Sequence, residues 1–267
     1  MPVDFTSTLQ VRDGLLELYP DVFTNDVRAA LEALAPFDDE RRALMQARLA
    51  RRARRARDRE PIGFLPADAP IGRRGLTASD ARAGRFDGSE IPADLRRQWI
   101  QGTGPGAKPH TTLERSIRNV AYALLSGADG WMFDGEDALG QLSTMSLDNQ
   151  RNLTLSIHRD PVFMSAAEAV AGEMNAWAES FLGRRIIADW REQLSATTVI
   201  FRARGLHLDD RHVRRADGLG FSASIVDAAT FLVRNHARLR QEGRSLVLYL
   251  PKIQTADEAA LWAEILD

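Results

Sequence analysis

The stretch from Thr197 to Asp267 constrains the fold most. It reads as an apolar strand (TTVIF), an amphipathic helix (SASIVDAATFLVRNHARLRQEG), a second apolar strand (SLVLYLPK) and a helix (TADEAALWAEILD). Short, continuously apolar runs are strands buried on both faces, and strands that alternate with helices build a parallel sheet. Gly243 stops the first helix, and Thr255 with Glu258 three residues later caps the second. The sequence therefore predicts an α/β protein, either doubly wound or a (β/α)8 barrel, with about four strand-helix units, half of a barrel.

The same signals continue upstream. TTLERSIRNVAYALLSGA reads as an amphipathic helix with Thr111 or Thr112 as its cap and Gly127 as its stop, and DGWMFDGEDA reads as a short strand ending in acid. A helix is predicted from about Ser165 to Leu182, closed by Gly183. Residues 61–109 are rich in Gly, Pro, Asp and Arg and predict irregular connection, with GTGPG as a turn. Residues 1–60 form an N-terminal helical segment, in which Pro36 breaks the pattern from Asn25 to Arg59 into two helices. The expected domains are thus 1–60 and 61–267.

The second of those N-terminal helices, RRALMQARLARRARRARDRE, carries nine arginines. A basic helix invites a nucleic-acid reading, but no aromatic residue interleaves the arginines, and Leu44, Met45 and Leu49 can dock the helix with a solvated face outward. The chain as a whole has 35 Lys and Arg against 37 Asp and Glu, so no net field draws it to nucleic acid or a membrane surface. It has no cysteine, which removes thiolate chemistry and Cys-ligated zinc. No apolar run approaches the roughly 20 residues of a membrane helix. These features predict a cytoplasmic protein with neither nucleic acid nor membrane as partner.

Catalytic groups of parallel α/β folds gather at the carboxyl ends of the strands. Asp134, Glu136 and Asp137 follow WMF, Arg202 and Arg204 follow TVIF, and Lys252 follows LVLYLP. Carboxylates facing cations across one mouth suit a metal-assisted reaction on an anionic substrate. For any one of these residues, emergence of the chain into water explains the charge equally well; Arg202 is the sharpest case, because strand alternation sets it opposite Phe201, facing inward, where arginine needs partners. His207 and His212 fall in an expected loop and fit no metal-ligand spacing, and His110, His158 and His236 are isolated.

Several motifs in order resemble the malate synthase family. RARGLHLDDRHVRRADGLGFSASIVDAATF resembles its Arg-x-Arg-Gly signature and the helix start that follows, GADGWMFDGEDA its Phe-Glu-Asp-Ala strand, DNQRNL its Gln-x-Asn-Leu segment, and YLPKIQTADEAALW its Leu-Pro-Lys strand. The departures are Ala203 for the usual proline, Leu206 for an aromatic and Gln254 for a glutamate. The resemblance implies a (β/α)8 TIM barrel, represented by about its first half. It implies a magnesium-dependent acyltransferase of the glyoxylate cycle that condenses acetyl-CoA with glyoxylate to give malate and CoA. It makes Arg202 the catalytic arginine, places Glu136, Asp137 and Arg204 as substrate-binding or supporting residues, and gives Ser224 and Asp227 a structural role. It puts the direct metal ligands and the carboxylate base on later strands, beyond Asp267. The chain alone is then expected to be inactive, either as the N-terminal half of such an enzyme or as one that needs the missing C-terminal half as a separate partner chain. A non-catalytic relative and a related acyl-CoA lyase are the alternatives.

Overall fold

The computed structural model describes residues 8–72, 75–97, 111–137 and 143–267. The N-terminal segment contains β1 (Leu9–Val11), α1 (Leu15–Leu18), α2 (Asn25–Leu34) and α3 (Phe37–Asp58), followed by the small strands β2 (Pro70–Ile71) and β3 (Leu76–Thr77) and the short helix α4 (Ala78–Arg82). Next come α5 (Leu113–Leu124), β4 (Gly130–Asp134), α6 (Met145–Ile157), α7 (Pro161–Leu182) and α8 (Trp190–Ala196). The last part comprises β5 (Thr198–Arg202), β6 (Asp209–Arg215), β7 (Gly220–Ser222), α9 (Ala223–Gln241), β8 (Val247–Tyr249) and α10 (Ala256–Leu266).

The strands that carry the candidate residues form one parallel sheet in the order β4-β5-β8. Its register pairs Asp134 with Arg202 and Arg202 with Tyr249, which brings the carboxyl ends of the three strands level. All five residues of β5 are buried. The apolar core beneath them joins Phe133, Val199 and Phe201 to Ile117, Val120, Phe163, Val170 and Phe231 from α5, α7 and α9.

Local chemistry accounts for most of the helix ends. The Thr112 hydroxyl accepts the Arg115 N–H at the start of α5, and Thr255 does the same for Glu258 in α10. Helix α7 begins four residues earlier than predicted, because Asp160 caps it and Pro161 occupies the first turn, where its missing N–H costs nothing. Gly183 closes the helix at φ 69°.

Three features differ from the expected architecture. Only three parallel strands occur among the described residues; the apolar pieces between 61 and 97, cut short by Gly and Pro, give only the antiparallel β2–β3 pair. The segment around His212 is not a loop: β6 pairs antiparallel with both β1 and β7 in a second sheet. Helix α6 replaces what the sequence left unassigned. The turn expected at Gly102–Gly106 lies outside the described residues.

Residues 8–60 close over this second sheet. Leu15, Val22, Phe23, Val27 and Leu31 share a core with Val213, Phe221, Ile225, Leu261 and Trp262. No described helix is long and apolar enough to cross a membrane.

Candidate active site

Arg202 is the last residue of β5, and its neighbours are set by the turn after β4. There the Gly135 N–H donates to the Arg202 carbonyl at 2.8 Å. A Cβ at Gly135 would stand 2.9 Å from that carbonyl oxygen, so only glycine allows the two chains to approach this closely. Asp134 then fixes the acidic turn: its Oδ1 accepts the N–H groups of Glu136 at 2.8 Å and Asp137 at 3.1 Å. The turn aims both following carboxylates at the end of β5.

Five charged side chains meet there. The Arg202 guanidinium is buried at 8 % exposure and donates through Nη2 to Asp137 Oδ2. Its Nε lies 3.5 Å from Asp134 Oδ1 and has no hydrogen-bond partner. Lys252 reaches in from the loop after β8 and bridges the acids, with Nζ 2.7 Å from Glu136 Oε1 and 2.9 Å from Asp137 Oδ1. Its backbone is left-handed at φ 56°, a conformation that costs a non-glycine residue about 1–3 kcal/mol and persists only where its surroundings impose it. Glu136 Oε2 accepts the Gly205 N–H, and His207 Nε2 lies 3.6 Å from Glu136 Oε1. The Tyr249 ring, centred 5.9 Å from Arg202 Cζ, closes the side toward β8.

This setting has electrostatic consequences. The hydrogen bond from Lys252, aided by Arg202, holds the Asp137 carboxyl below the usual carboxylate range. The hydrogen bond to Glu136 raises Lys252, keeping it charged. Burial pushes the His207 imidazole down despite Glu136 nearby, so it favours the neutral form.

The structure thus brings Arg202, Glu136 and Asp137 together and separates Arg204 from them. Strand pairing stops at Arg202, so the two-residue alternation that would set Arg204 beside it no longer holds. Arg204 is instead 1 % exposed and turned to Asp227 and Asp210. Asp227 accepts Arg204 N and Nε, each at 2.9 Å, and Nη2 at 2.7 Å, and Asp210 accepts Nη2 at 2.6 Å. Burial opposes the Arg204 charge, but the two carboxylates outweigh it and hold the guanidinium charged. Asp227 accordingly has the structural role expected of it. Lys252 and Asp134, visible in the sequence only as strand-end charges, prove to be integral to the cluster.

The carboxylates present do not fit as direct ligands of magnesium, which takes oxygen donors. Both oxygens of Asp137 are bound by Arg202 and Lys252, and those of Glu136 by the Gly205 N–H and Lys252. Among the described residues, no group of three or more His, Asp or Glu is placed to hold a metal.

Comparison with known proteins bears directly on this arrangement. The family model described as malate synthase, TIM barrel domain, matches residues 198–267, the segment from β5 through α10. The malate synthase of Myxococcus xanthus is 28% identical over 248 residues, covering 92% of this chain. This chain is similar to the malate synthases over most of its length. The malate synthase of Streptomyces clavuligerus is 28% identical over 220 residues, or 81% of the chain, and malate synthase A of Escherichia coli is 28% identical over 175 residues, or 66%. The alignments cover 38%, 34% and 27% of those three proteins, so the chain spans about a third of the length of the malate synthases it matches. Two of the three strands of the parallel sheet, β5 with Arg202 and β8, thus fall within the matched segment, and β4 lies before it.

Proposed function

We propose that these residues form the substrate-anchoring part of an active site for the malate synthase reaction, in which acetyl-CoA, glyoxylate and water give malate and CoA. One observation carries the reading: a buried arginine stands at a strand's carboxyl end, its guanidinium held by Asp137 through Nη2 with Asp134 3.5 Å from its Nε. A planar, permanently charged donor in a poorly hydrated setting suits both a small carboxylate and an oxygen on which negative charge develops. In the reaction the acetyl methyl group loses a proton, and its carbon bonds to the aldehyde carbon of glyoxylate. Water then cleaves the thioester and releases the CoA thiol.

The work assigned to this chain is charge stabilisation. Arg202 holds the oxygen of the deprotonated acetyl group, Asp137 and Asp134 fix the guanidinium, and Lys252 bridges Glu136 and Asp137 and keeps Asp137 ionised. Arg204 supports the site from beneath by tying the chain after β5 to α9. The magnesium that the family resemblance implies would take its protein ligands from residues other than these. Residues 61–267 then correspond to the first part of a (β/α)8 barrel, against which the described residues 8–60 dock. A lack of cysteine suits a cytoplasmic location.

Since the chain spans about a third of the matching malate synthases, the reading includes a requirement for further polypeptide. The test is glyoxylate-dependent thiol release from acetyl-CoA. The chain alone should release none, and mixing it with the remaining two thirds of the Myxococcus xanthus relative should give release that Arg202→Gln abolishes. Release by the chain alone that survives Arg202→Gln would overturn the assignment.

A further inference from the structure

Helix α3 holds charge that neither the fold nor the cluster at Arg202 uses. Residues 48–60 contain seven arginines and two acids. The acids are taken, with Asp58 2.8 Å from Arg57 and Glu60 3.5 Å from Arg54. Arg51, Arg52 and Arg55 have no acidic partner among the described residues. This half of the helix is not docked by apolar contacts either, since Leu49 is 66 % exposed. Arginines spaced three and four apart repel one another, which weakens an exposed helix unless an anion lies along it.

The direction of the stripe matters more than its charge. At 100° per residue, positions 41, 48, 52 and 55 lie within about 40° of one line along the helix. Arg41 on that line is buried, donating to the Leu206 carbonyl at 3.2 Å and pairing with Asp209 at 2.7 Å. Arg48, two turns on, donates to the Lys252 carbonyl at 3.3 Å. The line therefore passes the mouth of the Arg202 cluster at Arg48. Arg52 and Arg55 then stand about 6 and 10 Å farther along the axis, running outward from the residue that bridges Glu136 and Asp137.

We infer that Arg52 and Arg55, extending the line from Arg48, bind the phosphate groups of the coenzyme thioester. This rests on the reading under Proposed function. A thioester whose reacting end lies at Arg202 must trail its phosphorylated end outward through the mouth. Guanidinium groups match phosphate oxygens with paired donors, and two in register can take neighbouring phosphates. Nucleic acid fits less well, because the stretch from Arg41 to Glu60 has no aromatic side chain on which bases stack.

The test is calorimetric titration of the full chain with coenzyme A and with pantetheine, which shares the thiol arm and lacks the phosphates. In the doubly substituted R52Q/R55Q chain, coenzyme A affinity should fall about tenfold at 0.1 M salt, as loss of two partly exposed ion pairs predicts. Pantetheine affinity should not change, and Arg240→Gln on α9 should alter neither. Unchanged coenzyme A affinity in R52Q/R55Q, or an equal loss for pantetheine, overturns the inference while leaving the catalytic reading intact. Wild-type chain that binds neither compound overturns both. If a single-stranded oligonucleotide binds through Arg52 and Arg55 and coenzyme A does not, the stripe serves nucleic acid and the inference is wrong.

Discussion

Asp227→Ala removes the main partner of Arg204, the most deeply buried arginine among the described residues. Asp227 accepts three hydrogen bonds from Arg204, at 2.9, 2.9 and 2.7 Å, and both side chains are nearly inaccessible to water. Breaking a buried ion pair by deleting one partner costs about 3–5 kcal/mol. Asp210 stays bonded to Arg204 Nη2 at 2.6 Å, so part of the charge remains compensated. The backbone N–H and Nε–H lose their acceptor outright. We therefore expect a loss of about 3 kcal/mol, at the low end of the range for a broken buried pair. Arg204→Met should cost at least as much, since it leaves Asp210 and Asp227 buried together without their cation. Equilibrium urea unfolding measures both, and a double-mutant cycle closed with R204M/D227A should show the two losses to be non-additive by about 2 kcal/mol. A loss below about 1 kcal/mol for Asp227→Ala, or simple additivity in the cycle, would refute the view that this pair anchors the chain after β5.

Further outcomes follow from the same geometry. Gly135→Ala should destabilise by about 1–3 kcal/mol, since a Cβ 2.9 Å from the Arg202 carbonyl forces backbone to move; thermal unfolding indistinguishable from wild type would contradict this. NMR titration of Asp137 should give a midpoint below the ordinary 3.8, moving up in Lys252→Ala. Its contribution to stability is present above that ordinary value and disappears as pH falls through the lowered one; a midpoint at or above 3.8 would be the contrary result. His212, 2 % exposed, is pushed down by burial, so the unfolded chain binds its proton more readily. Stability should then decline as pH drops from about 6.5 toward the lowered pKa, and His212→Gln should flatten that decline in urea titrations at pH 5 to 7.

The parts of this protein legible in the sequence are those whose patterns follow burial. Strands β4 and β5 are continuous apolar runs, and α5, α9 and α10 have both apolar periodicity and oxygen-bearing caps. Helix α6 escaped because its inward face includes Ser146, Gln150, Asn152 and Ser156, all buried, so apolar spacing does not trace it. Strand β6 escaped because five of its seven residues are Asp or Arg, and its buried Asp210 works by accepting the His212 and Val213 N–H groups. At the site, Arg202, Glu136 and Asp137 could be read from their positions after strands. The parting of Arg204 from Arg202 could not, because it depends on where pairing stops and on Asp227 across the chain. Nor could the left-handed backbone of Lys252, which is not a glycine and gives no local signal.

The most direct measurement is the 15Nε–H resonance of Arg202 during titration with glyoxylate. A saturable shift at Arg202, together with a smaller one at Lys252 and none at the enclosed Arg204, is the predicted result. If the Arg202 signal stays fixed while glyoxylate binds elsewhere, or fails to bind at all, the buried guanidinium at the end of β5 is not a substrate anchor.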